Sequence, residues 1–415
     1  MNAIRSTAAA AAIFCATAGA ALAGQGAVPQ GMPHLDHVWV IMMENHGYPQ
    51  VMGNPNAPYI NQLASTANLA TNYFGVAHPS LTNYLEAVGG SNFGVLDDNT
   101  PDWHNAACQP NIQSGVANTE QVATPICPIW GQGADAPTPA IDYYNEVQGT
   151  PGNPATGDWA LDGKKSFKAS FTIGMTIADQ LDAMHMPWRS YQESLPMVGA
   201  DTVDASDGVF VNTNDTQVLS NPTPPASQVV ALYASKHNPF VYFKSVQEGG
   251  LKNVRAFDGD NGLFADLRMG KVPAYSFIAP NQCNDMHGRS GENVYCNYDT
   301  NNNGTQNGLN PGLIYRGDVM VKKLMTAIEG SPAWTKGNNA IVVTWDENDY
   351  SVGIPNQVLT MVVTNYGKGR VVSNRFYNHF SLLKTIEGGL GLPCLNNACD
   401  PSVDVMADMF RGGGN

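Results

Sequence analysis

The chain has 415 residues, 43% of them hydrophobic and only 13% charged, which supplies a sizeable core and argues against a disordered polymer. Its 21 Lys and Arg against 35 Asp and Glu leave a formal net charge of −14, which speaks against nucleic acid or an anionic membrane as a charge-driven partner. The same acidic balance repels anionic substrates at long range, so a substrate of that kind would need a cation held inside the site.

Residues 1–23 read as a signal peptide. Arg5 gives a positive n-region, Ala8 to Ala18 is small and apolar, and Ala21-Leu22-Ala23 fits a signal-peptidase site. No later run reaches the ~20 apolar residues needed to span a bilayer. The chain is therefore expected to be exported, periplasmic or extracellular, with residues 24–415 as a single domain and no integral membrane segment. Of its 7 cysteines, Cys15 falls in the leader. The remainder, Cys108, Cys127, Cys283, Cys296, Cys394 and Cys399, suit an oxidising compartment, and pairing between sequence neighbours is expected. The competing thiolate zinc site lacks any C-x-x-C pair.

The first element is an apolar run at 37–43, HVWVIMM, which reads as a strand buried on both faces and ends on Glu44-Asn45. Amphipathic helical spacing follows at 59–67, then a strand-like stretch at 68–76. His78-Pro79-Ser80-Leu81-Thr82-Asn83-Tyr84 leads into the helix-competent Leu85-Glu86-Ala87-Val88. Residues 91–160 are rich in Gly, Pro, Asn and Asp and too long for an ordinary connection. They predict a lid or rim insertion, or else a surface excursion pinned by a disulfide.

Regular alternation resumes after Thr176: a helix at 177–184, a strand at 188–192, a helix at 227–236 and a buried strand at 239–243. A short helix at 263–268, a strand at 274–278 and a helix at 315–330 come next, the last with Val319, Val321, Leu324, Met325 and Ile328 as its apolar members. A second wholly apolar run at 340–345 ends on Asp346-Glu347, and a strand at 358–364 and a helix at 381–387 close the series. Strands alternating with helices predict an α/β fold, a three-layer sandwich around a mostly parallel central sheet.

In parallel sheets ligands bind beyond the carboxyl ends of the strands, so Glu44-Asn45 and Asp346-Glu347 are predicted to share one site. Three acids and an amide would repel one another there unless a cation lay between them, which predicts a metal. Ser80 falls where strand gives way to helix, and an anion is stabilised at a helix N-terminus. Beside a metal, its hydroxyl becomes a nucleophile for a phosphoryl group, with Asn83 placed to donate to a nonbridging oxygen. Taken alone, Ser80 fits a simple N-cap as well. His78 is either a phosphate contact or a turn residue before Pro79. Asp285, His287 and His379 form a second cluster. They suit a second metal, or they supply imidazoles that hold the phosphate and protonate the leaving oxygen.

Met43-Glu44-Asn45-His46, the segment 78–84, Asn284-Asp285-Met286-His287, Gly317-Asp318, Trp345-Asp346-Glu347 and His379-Phe380-Ser381-Leu382-Leu383 occur in an order that resembles one family. It is the secreted phosphoesterases, which include acid phosphatases and bacterial phospholipases C, a branch of the alkaline-phosphatase superfamily. The resemblance covers residues 35–395 and implies an alkaline-phosphatase-like fold. It also implies one or two divalent ions (Zn, Mg, Mn or Ca) held by Glu44, Asn45, Asp346 and Glu347. Ser80 would be the phosphorylated nucleophile and a metal contact. Thr82 stands where the family usually has proline, and Gly47 where serine is frequent. The activity implied is hydrolysis of small phosphomonoesters. A phospholipase C acting on phosphocholine diesters, or a secreted metal-binding protein with a vestigial site, are the alternatives. A sulfatase [CS]-x-P-x-R motif and a G-x-S-x-G esterase motif are both absent.

Overall fold

In the computed structural model the two apolar runs of the sequence lie side by side at the centre of one eight-stranded sheet. The structure describes residues 25–95, 97–103, 107–108, 126–134, 171–199, 204–205, 209–211, 218–220, 232–289, 296–297, 308–349, 356–367 and 369–411. The signal-peptide reading of 1–23 and much of the 91–160 insertion lie outside these residues.

The sheet strands are β1 (His37–Met43), β2 (Asn68–Ala70), β3 (Trp188–Gln192), β4 (Val254–Ala256), β5 (Tyr275–Ala279), β6 (Asn339–Trp345), β7 (Thr360–Thr364) and β8 (Val372–Ser373). Their spatial order is β4-β3-β5-β1-β6-β7-β2-β8, and only β7 runs against the others. All of β6, and all of β1 except His37, is buried, so both faces of the central strands must be covered. The cover comes from two groups of helices. α1 (Pro58–Thr66) and α4 (Leu263–Met269) pack on α5 (Pro311–Glu329), while α2 (Ser80–Gly89) packs on α3 (Ile177–Ala183) and α6 (His379–Leu390). The result is the expected α/β sandwich with a mostly parallel sheet.

Local chemistry moves several boundaries. α5 starts at Pro311, ahead of the predicted 315, because the Asn310 side chain accepts from the Gly312 and Leu313 N–H groups and Pro311 suits the first turn. Its buried stripe runs through Leu313, Gly317, Met320, Val321, Leu324, Met325 and Ile328, whereas Val319, one of the apolar members of the predicted helix, is 46% exposed. Residues 239–243 are not a strand. Pro239–Tyr242 is a buried 3-10 turn closed by Phe243 N–H donating to Phe240 O, since a short apolar run carries no periodicity to separate the two states and Pro239 has no N–H for a ladder. The described end of the predicted 227–236 helix is a two-residue strand, Tyr233–Ala234, followed by the 3-10 turn Ser235–His237. The predicted strand at 68–76 divides into β2 and the pair Tyr73–Phe74, which leaves the main sheet to pair with Tyr377–Asn378.

Disulfides join Cys108 to Cys127, Cys283 to Cys296 and Cys394 to Cys399, the sequence-neighbour pairing. Among the described residues no helix is long and apolar enough to cross a membrane.

Candidate active site

The parallel register that sets Met43 beside Trp345 carries Glu44-Asn45 and Asp346-Glu347 to the same carboxyl edge of the sheet. Asp346 N–H donates to Met43 O at 3.0 Å, and Asn45 N–H donates to Asp346 Oδ1 at 3.3 Å, so the two strand ends are fastened to each other. The loop after β5 arrives at the same edge, where Glu44 N–H donates to Asp285 O at 2.9 Å. Met286 in that loop holds a φ of 83° and packs against Gly317 of α5, where any Cβ would overlap the Met286 side chain. Asp285 and His287 are thereby held on either side of an anchored residue.

Ser80 is the first residue of α2, and Pro79 takes the cap position with no side-chain cap bond. Its hydroxyl lies 3.0 Å from Glu44 Oε2 and 3.3 Å from Glu347 Oε1. The N-cap role open in the sequence is thus not the one its geometry serves. Asn83, one turn later, fastens the loop before the helix: its Oδ1 accepts from the Val76 and Ala77 N–H groups at 2.8 and 2.9 Å. Its Nδ2 donates to Ala77 O at 2.6 Å and to Glu347 Oε2 at 2.9 Å. His78 turns its Nδ1 to Glu347 Oε2 and its Nε2 to Asn348 Oδ1, both at 2.9 Å.

The second cluster assembles differently from the one expected. His379, at the start of α6, places Nε2 2.6 Å from the backbone carbonyl of Asp346 and Nδ1 3.0 Å from the Tyr73 hydroxyl, so both ring nitrogens are occupied in supporting the strand end. His237 stands instead among the acids, with Nε2 3.0 Å from Glu44 Oε1 and Nδ1 3.1 Å from Asp285 Oδ2, its ring stacked on Tyr84. Glu44, His237 and His287 each offer a ligand atom, all within 4.8 Å of one another. The predicted strand at 239–243 would put His237 at an amino end, away from the site, so the sequence carries no signal for it. A 3-10 turn there brings it to the carboxyl edge.

Electrostatics explain what this arrangement can hold. Glu44, Asp285, Asp346 and Glu347 are all buried. Burial pushes Glu44 up to about 7. Burial and then the Glu44 charge hold Asp285 and Asp346 well above the usual carboxylate range. Burial, followed by the Lys236 charge, lowers His237 far below its ordinary value and His287 to about 3, and burial takes His379 to about 4. Neutral imidazoles are the form that binds metals. Among the described residues, Asn45 Oδ1 and Asp346 Oδ2 are buried acceptors without a donor, and the Glu44 and Asp285 oxygens facing His237 lack a directed one. Oxygen-rich donors left unsatisfied beside neutral imidazoles fit a divalent cation.

Comparison with known proteins agrees with the chemistry. The chain is 24% identical over 392 residues to the phosphatidylinositol-3-phosphatase of Mycobacterium tuberculosis, covering 92% of this chain and 89% of that one. It is 24% identical over 340 residues to the phosphate-repressible acid phosphatase of Penicillium chrysogenum, covering 81% of this chain but 55% of the fungal enzyme, so it spans little more than half of that relative. A solved protein of the alkaline phosphatase superfamily from Vibrio parahaemolyticus is 10% identical with a TM-score of 0.42, over 91% of this chain and 72% of that one, a likeness too loose to add weight. The phosphoesterase family pattern matches residues 50–393, most of the chain, and the chain belongs to that family.

Proposed function

We propose that the chain is an exported, metal-dependent acid phosphatase that hydrolyses small phosphomonoesters through a phosphoserine on Ser80. The observation that carries this reading is the Ser80 hydroxyl, buried at the first turn of α2 and bonded to carboxylates from both strand ends instead of capping its helix. Acid phosphatases among the relatives favour the monoester. A leader-like start and three disulfides suit export.

Glu44, Asn45, Asp346 and Glu347 would hold one divalent ion, and Glu44 with His237 and His287 a second. Such ions, when bound, polarise phosphoryl oxygens and lower the pKa of a neighbouring hydroxyl. Within the chain, the two oxygens of Glu44 divide the work: Oε1 faces His237 and Oε2 faces Ser80. As the bond from Ser80 Oγ to phosphorus forms and the ester oxygen leaves, the hydroxyl proton passes to Glu44 Oε2. Water then attacks phosphorus and gives up one proton, which passes through solvent to the departed alkoxide; the P–Oγ bond breaks, and the proton held on Glu44 Oε2 returns to Ser80 Oγ. The positive end of α2 stabilises charge gathering beside its first residue. Asn83 and His78 keep Glu347 in place, and His379 does the same for the backbone of Asp346.

Hydrolysis of p-nitrophenyl phosphate and p-nitrophenyl phosphorylcholine tests the reading, with native and Ser80→Ala protein, metal-loaded and chelated. Preference for the monoester, loss on chelation and a fall of at least ~10³-fold in Ser80→Ala are expected. Preference for the choline ester would point to a phospholipase C. No turnover with any divalent metal would point to a binding protein.

A further inference from the structure

Beside the buried acids lies a cavity of about 220 Å³ whose walls include Asp98, Thr100, Ser235, Lys236, His287 and Arg289. At roughly 30 Å³ per water it has room for a carboxylate- or phosphate-sized group with some hydration. Ser80 is not among its lining residues, so the cavity lies to one side of the hydroxyl.

Two of its walls connect directly to the reacting centre. Asp98 Oδ1 accepts from Leu81 N–H, the amide next to Ser80, at 3.0 Å, and Asp98 Oδ2 accepts from Lys236 Nζ at 2.7 Å. Lys236 Nζ also sits 3.0 Å from His287 Nε2, and its side chain keeps 17% exposure. Arg289 is placed by its N–H donating to Cys296 O at 2.7 Å, across the loop that the Cys283–Cys296 disulfide closes. This is the loop that also carries Asp285 and His287.

Lys236 and Arg289 against Asp98 leave the cavity one positive charge in surplus, in a chain whose net charge is −14. A concave, partly desolvated site with surplus positive charge recruits an anion even where the overall field repels it. A lysine contributes a point charge with three donors and an arginine a planar fork that matches carboxylate or phosphate oxygens.

We propose that this cavity is a subsite for a second anionic group, a carboxylate or a phosphate, carried on the alcohol half of the phosphate ester, with Lys236 and Arg289 as its specificity determinants. The substrates favoured are then phosphomonoesters of acidic alcohols over those of neutral ones. The proposal rests on Ser80 as the point of attack, which fixes the other end of the substrate.

Calorimetric binding to the metal-loaded protein tests it without turnover. The ligands are propylphosphonate, 3-phosphonopropionate for a carboxylate and 1,3-propylenediphosphonate for a second phosphate, none of which can be hydrolysed at its P–C bond. Native protein should bind at least one of the two ligands that carry a second anionic group roughly 10-fold or more tighter than propylphosphonate, the scale of a charge-assisted hydrogen bond. Arg289→Gln and Lys236→Gln should each cut that ratio to about 3-fold or less, and which ligand gains identifies the anion. Equal binding of all three by native protein overturns the subsite, as does a ratio that survives both substitutions. Binding preference without hydrolysis of the matching esters would sink the phosphatase reading and keep the subsite. Hydrolysis of charged and neutral esters at equal kcat/KM, with no binding preference, would do the reverse.

Discussion

Stripping the metal should make stability fall as pH rises, and Glu44 shows by how much. Its carboxyl, ordinarily near 4.5, is pushed up to about 7 by burial, so the fold favours the protonated form. A group raised in this way contributes stability that is fully present below its unfolded pKa of 4.5 and is lost as pH climbs through about 7. At 1.36 kcal/mol per unit, Glu44 alone is worth about 3 kcal/mol over that window. Asp285 and Asp346, raised well above their ordinary value by the same burial, extend the decline to higher pH. A divalent cation competes with these protons, so its stabilising effect should grow across the same range. The assay is urea unfolding at pH 5, 6, 7 and 8 of chelated and zinc- or manganese-saturated protein, with Glu44→Gln as comparator. The chelated native protein should lose stability with pH, the metal should restore it most at pH 8, and Glu44→Gln should show a shallower decline. A chelated protein that gains stability from pH 5 to 8, or an unchanged slope in Glu44→Gln, would refute the idea that these acids are poised for a cation.

His237→Gln should weaken metal binding and lower kcat/KM by 10- to 100-fold or more, while His379→Gln, which loses contacts only to Tyr73 and a backbone carbonyl, should weaken metal binding far less; parallel metal titrations decide. Asn83→Ala leaves two buried amides without an acceptor, for a loss of about 2 kcal/mol or more in chemical unfolding. Replacing both Cys283 and Cys296 by Ser opens a loop of sequence separation 13 and should cost about 3 kcal/mol, with a loss of metal affinity because Asp285 and His287 ride on that loop.

What the sequence made legible follows from how local each signal is. Two apolar runs ending on acids identify buried parallel strands without reference to the rest of the chain, and their neighbouring register brings Glu44 to Asp346 as expected. The disulfides followed sequence proximity. His237 could not be read in this way: the bonds that define it are to Glu44 and Asp285, far off in sequence, and the apolar segment after it folds as a 3-10 turn around a proline. His379 shows the converse: grouped from the sequence with Asp285 and His287, it stands at the start of α6, where its two nitrogens hold Tyr73 and the Asp346 backbone. Val319 is apolar but lies two residues from Val321 on a turn of about 3.6 residues, on the opposite side of α5 from the buried Val321, Leu324, Met325 and Ile328, so an apolar residue inside the helix is not enough to place it in the core.

The most direct test is to catch the covalent intermediate. Metal-loaded protein mixed with p-nitrophenyl phosphate and quenched in acid within a single turnover should carry one phosphoryl group, mapped by peptide mass analysis to Ser80 and missing from Ser80→Ala. Turnover with no phosphoryl group on Ser80, and undiminished in Ser80→Ala, would show that the hydroxyl held between Glu44 and Glu347 is not the nucleophile.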